Sequence, residues 1–143
     1  MGLLSAQDEQ VLKQHLSAIT KPVTLLLFTQ TIGGSESGVV AKQVLDEVAN
    51  LHEKITVVEK NFILDLDDRA KYGVDKSPAI VVLSDGQDTR MRFFGAPTGY
   101  EFVPVVEAVL LAGTGNIELQ DETLKLLATV DKPMHLQVFS TPT

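Results

Sequence analysis

With 143 residues, 44% of them hydrophobic and 22% charged, the chain is long enough for one compact domain with a buried core and too short for two large independent ones. Nineteen acidic residues against twelve basic ones give a net charge of -7, and the cations are scattered singly, which argues against a nucleic-acid partner. The absence of cysteine removes a disulfide framework, a thiolate metal site and a thiol nucleophile together, and the apolar runs fall far short of the roughly 20 residues of a membrane span.

Ser5 stands before an acidic first turn, Asp8 and Glu9, and Val11, Leu12, His15, Leu16 and Ile19 then recur at helical spacing. This predicts an N-terminal amphipathic helix that stops before Lys21-Pro22. The apolar run Val23 to Phe28 reads as a buried strand, and it leads into a polar loop, Thr29 to Gly38, that contains three glycines. Val40, Val44, Val48 and Leu51 form the apolar stripe of a second helix. Ile55 to Glu59 has β-branched strand character, and a short helical segment is predicted over Asp67 to Tyr72.

Ala79 to Leu83 is a continuous apolar run after a proline, and the turn signal Asp85-Gly86 separates it from Thr89 to Phe94, which predicts an antiparallel hairpin. Thr98 and Glu101 have capping-box spacing ahead of Phe102, Val105, Val106, Val109 and Leu110, and Pro104 requires a kink or a late helix start there. Gly113-Thr114-Gly115 ends that helix. Glu118 to Val130 then reads as a further helix with Leu119, Leu126, Leu127 and Val130 facing inward, and His135 to Ser140 as a last strand. A β-α-β unit followed by a hairpin and a helix implies an α/β domain with a mixed central sheet and helices on both faces.

Lys21 to Thr29 and Lys132 to Ser140 share the pattern Lys-Pro-apolar-x-Leu-x-apolar-Phe-hydroxyl, each after an amphipathic helix. The repeat suggests that a helix-strand unit is duplicated. Residues 1–115 are then expected to form one domain, and residues 116–143 to begin a second, truncated unit.

Ala70-x-Tyr72-Gly73-Val74, followed by Pro78, the apolar run and Gly86, resembles the second half of the thioredoxin signature, in which a cis-proline precedes the third strand. Gly95-Ala96-Pro97-Thr98-Gly99-Tyr100-Glu101-Phe102 resembles a segment shared by tandem protein disulfide oxidoreductases and by the N-terminal domain of the alkyl hydroperoxide reductase flavoprotein subunit. The resemblance implies a thioredoxin-like (glutaredoxin-like) fold and places the first unit's dithiol loop on Gly34, Ser35, Glu36 and Ser37. It also implies a cis-proline groove at Ser77 and Pro78. The acid that thioredoxins bury six residues before the first cysteine falls on Phe28.

A serine hydroxyl has too high a pKa to replace a thiolate and forms no exchangeable bond, so no thiol-disulfide activity and no catalytic residue are expected of this chain. His15, His52 and His135 lie in places that give Ser37 no base. Asp65, Asp67 and Asp68 lack the spacing of a calcium loop, and Gly33-Gly34 lacks the Lys-Ser/Thr of a phosphate loop, so neither metal nor cofactor is expected. The expected function is a redox-inactive structural or docking half of a disulfide or peroxide-linked oxidoreductase. Its expected partner is a second thioredoxin-like unit whose Cys-x-x-Cys lies beyond Thr143, or a separate redox protein, with self-association through uncovered surface. The alternative is a stand-alone module that binds extended peptides. A soluble, cytoplasmic protein is expected in either case.

Overall fold

The computed structural model describes residues 2–141. Four strands, β1 (Val23–Thr29), β2 (Ile55–Asn61), β3 (Ala79–Ser84) and β4 (Gln87–Phe94), form one sheet in the order β2-β1-β3-β4. β1 runs parallel to β2 and antiparallel to β3, and β3 runs antiparallel to β4, so the sheet is mixed as the sequence implies. The central strands β1 and β3 are apolar along their length because helices or loops cover both of their faces.

Cross-strand pairing sorts the core into two layers. Leu25 opposite Val82 and Leu27 opposite Ile80 face one way, and Leu26 opposite Val81 and Phe28 opposite Ala79 face the other. The first layer is closed by Leu16 of α1 (Ala6–Leu16), by Ala41, Leu45 and Val48 of α2 (Glu36–Ala49), and by Val105, Val109 and Ala112 of α4 (Phe102–Thr114). The second is covered more thinly, by Val74 together with the half-buried Phe62 and Tyr72 around α3 (Leu66–Tyr72). Two arginines seal its margin. The Arg69 guanidinium lies 3.8 Å from the Phe62 ring centre and donates to the carbonyls of Phe62 and Val74. Arg92 donates to the Tyr72 carbonyl and grips both carboxylate oxygens of Asp88 at 2.7 and 2.8 Å.

The local signals act largely as written. Ser5 and Asp8 form the capping box that starts α1, although Val11 and His15 are exposed and the helix ends three residues before the buried Ile19. Asp85 and Gly86 both take positive φ in the β3-β4 turn. Pro104 sits in the first turn of α4, where its missing N–H leaves no bond unmade, and a short 3-10 turn over Gly99–Glu101 precedes the helix.

Three expectations fail. Thr98 and Glu101 form no capping box: the Thr98 side chain makes no cap bond, and the Glu101 carboxylate instead accepts the Ser140 hydroxyl at 2.8 Å. α5 (Asp121–Leu127) is shorter than the predicted helix and buries nothing, with Leu119, Leu126, Leu127 and Val130 all exposed. His135 to Ser140 forms no strand, and Leu136, Val138 and Phe139 are almost fully exposed. A strand needs ladder partners: β1 has β2 and β3 on its two sides, whereas its echo has neither.

Candidate functional site

β1 delivers the chain to the corner at Thr29, and α2 begins at Glu36 with Ser35 as its N-terminal cap. Ser35 has the extended backbone of a cap, but its side chain bonds no helix N–H; its hydroxyl lies against that of Ser37 instead. Ser37 is thus in the first turn of α2, where a thiolate would gain from the helix dipole and a neutral hydroxyl gains little. Gly33 takes φ of +72°. At Gly34 a Cβ would come within 2.1 Å of the Gln30 carbonyl oxygen, so the loop has closed on itself around a residue without a side chain. Neither feature can be read from the letters alone.

Immediately before the neighbouring strand β3, the Ser77-Pro78 peptide is cis. Pro78 is buried and its carbonyl accepts the Gly95 N–H at 2.9 Å, while Ser77 is half-buried with its hydroxyl 3.4 Å from the Phe28 carbonyl. The sheet therefore brings Ser77 to the end of β1. No hydrogen bond, however, joins Gly34 to Ser37 with Ser77 or Pro78 among the described residues.

Phe28, where the resemblance leads one to expect a buried acid, is fully buried, and no polar or charged residue among those described shares the core. The histidines offer the corner no base. His52 precedes β2, at the opposite end of the sheet, and its Nδ1 accepts the Lys54 N–H, while His15 and His135 are exposed. Asp65 and Asp68 are engaged around α3: Asp65 accepts the Asn61 N–H at 2.6 Å, and Asp68 pairs with Lys60 at 2.8 Å, which holds the Lys60 amine above its ordinary pKa. Sequence reasoning did not single out the exposed aliphatics that follow β1 and β2, Ile32 on one connection and Ile63, Leu64 and Leu66 on the other. The signal was the apolar run after β2, which no strand or helix periodicity claims.

Solved structures give the fold directly. The alkylhydroperoxide reductase AhpF of Enterococcus faecalis superposes with a TM-score of 0.82 at 28% identity, over 90% of this chain and 62% of that one. The corresponding alkyl hydroperoxide reductase protein of Escherichia coli is 26% identical over 137 residues, which are 96% of this chain and 24% of that protein. The chain is a thioredoxin-like unit similar to the N-terminal region of AhpF. It thus spans about a quarter of the length of the curated relatives it matches. A protein disulfide oxidoreductase from Aeropyrum pernix shares the fold, with a TM-score of 0.74 at 19% identity over 87% of this chain and 54% of that one. No protein-family model matches. Among the described residues, no helix of this thioredoxin-like unit is long and apolar enough to cross a membrane.

Proposed function

We propose that this thioredoxin-like unit is the non-catalytic half of a larger disulfide or peroxide-linked oxidoreductase, in which it supports a dithiol-bearing unit beside it. The carrying observation is the corner itself: a strand, a helix N-terminus and a cis-proline meet there, and the positions that the resemblance assigns to two thiols hold Gly34 and Ser37. The likeness to AhpF and the uncovered aliphatic side chains of residues 116–141 support the same reading. Residues 1–115 form the supporting domain and residues 116–143 open the second unit, whose partner strands follow in the longer polypeptide. The other units of that polypeptide are its partners, and its place is the cytoplasm.

A disulfide-reduction assay on this chain and on the full-length gene product tests the proposal. The chain alone is expected to show no turnover, and the full-length product to exchange disulfides at a rate that falls when residues 2–115 are deleted. A full-length product without a dithiol, or one indifferent to that deletion, would overturn the reading.

A further inference from the structure

We propose that the open edge of β4, with the basic and aromatic side chains beside it, is a docking surface for an extended acidic protein segment that joins the sheet as a further strand. This edge is present whether or not residues 116–143 open a second unit.

β4 is the last strand on its side of the sheet. The Gly95 N–H donates to the Pro78 carbonyl at 2.9 Å, and the register that sets Phe94 opposite Ala79 sets these two residues opposite each other. Bonded and unbonded pairs alternate along an antiparallel ladder, so Phe93 bonds Ile80, while Arg92 and Phe94 turn their N–H and C=O groups away from β3. Among the described residues those outward groups bond no other part of the chain. They offer two donors and two acceptors in the alternation that an added strand matches.

The side chains beside this edge are joined by contacts. Arg92 and Phe94 share the face on which their cross-strand partners, Val81 and Ala79, enter the second core layer. The Lys76 amine lies 5.1 Å from the Phe94 ring centre, and Phe94 is 41% exposed. The Lys71 amine and the Arg92 guanidinium lie 5.0 and 5.9 Å from the centre of one ring, that of Tyr72. Arg92 also donates to the Tyr72 carbonyl at 3.1 Å, which ties the end of α3 to β4.

Charge selects the partner. Lys71, Lys76, Arg90 and Arg92 stand against Asp75 and Asp88 in this part of a chain whose net charge is -7. Asp88 is spent on Arg92. Asp75 and Lys76 are exposed neighbours in sequence, whose pairing in water is weak. Lys71 and Arg90 make no ion pair or side-chain hydrogen bond among the described residues. Lys71, Lys76 and Arg90 are thus left to meet carboxylates on an incoming strand. Nucleic acid has no peptide backbone to continue the sheet and is repelled by the rest of the chain, and a second copy would bring the same cations to the same edge.

The test is a titration of the 15N-labelled chain with a short amidated peptide of alternating glutamate and valine, alongside an analogue with lysine for each glutamate and a single-stranded oligonucleotide. Amide shifts are expected at Lys76 and across residues 90–95, and hydrogen exchange at the Arg92 and Phe94 amides should slow when peptide is bound. Lys76→Gln/Arg90→Gln, at two exposed positions, should melt as the parent does and bind about tenfold more weakly. No binding, equal affinity for the lysine analogue, no slowing at those two amides, or unchanged affinity in the double variant would overturn the proposal. So would tighter binding of the oligonucleotide, or dilution-dependent shifts of these amides without peptide, which would make a second copy of the chain the occupant.

Discussion

Gly34 and Gly38 lie four residues apart, and the same substitution should act on them in opposite directions. A Cβ at Gly34 meets the Gln30 carbonyl oxygen at 2.1 Å, whereas one at Gly38, inside α2, finds only the Thr29 side chain at an ordinary 3.5 Å. Gly34→Ala is therefore expected to destabilise by about 1–3 kcal/mol, as overpacking does. Gly38→Ala should stabilise by about 0.5–1 kcal/mol, by removing glycine from a helix. Urea denaturation of the two variants decides the point; equal effects would contradict the closed loop. Asp88 supplies a second residue-scale prediction. Its hydrogen bonds from Arg92 hold its carboxyl below the usual range, although partial burial opposes them. A lowered folded-state pKa gives stability that is present above the unfolded value and is lost as pH falls through the folded one. Asp88→Asn should thus be less stable than the parent at neutral pH, with the gap closing in acid; a gap independent of pH would show that Asp88 acts through shape alone. The missing cysteines were plain in the sequence, but the closure around Gly34 depends on backbone proximity that no residue pattern encodes.

At the scale of elements, two copies of one pattern meet different fates. Lys21 to Thr29 contains a central strand with neighbours on both sides, and Lys132 to Ser140 stays unpaired with its apolar side chains in solvent. Apolar spacing reports which face of an element is to be covered, not whether the cover is present. That is why β1 to β4 and α1 to α4 were legible, from the Ser5 cap, the helical apolar spacing, the turn at Asp85-Gly86 and the continuous runs of the inner strands. It is also why the inward-facing helix and the last strand expected over 118–140 were misread. Limited proteolysis should accordingly cut first within residues 116–141 and leave residues 2–115 folded, with the product read by mass spectrometry. First cuts inside α2 or β3 would contradict this division.

For the molecule as a whole, one layer of the core is closed by three helices, and the other is covered by Val74, Phe62 and Tyr72 around the short α3, with Arg69 and Arg92 at its margin. The mixed sheet with helices on both faces followed from element order alone. How unequally those faces are covered did not, because it depends on Phe62 reaching across from a connection and Tyr72 from the end of α3. Arg69→Met keeps an unbranched apolar stem but leaves the Phe62 and Val74 carbonyls without their donors, and is expected to cost about 1–3 kcal/mol by thermal melting. An unchanged melting temperature would remove the sealing role assigned to that arginine.

A supporting role for this fold, with no redox chemistry of its own, requires that the second unit complete what residues 116–143 begin. Hydrogen exchange across residues 135–140, measured in this chain and in the full-length gene product, probes that dependence at its decisive point. Fast exchange is expected in the chain alone and strand-like protection in the longer polypeptide; equally fast exchange in both would refute the supporting role.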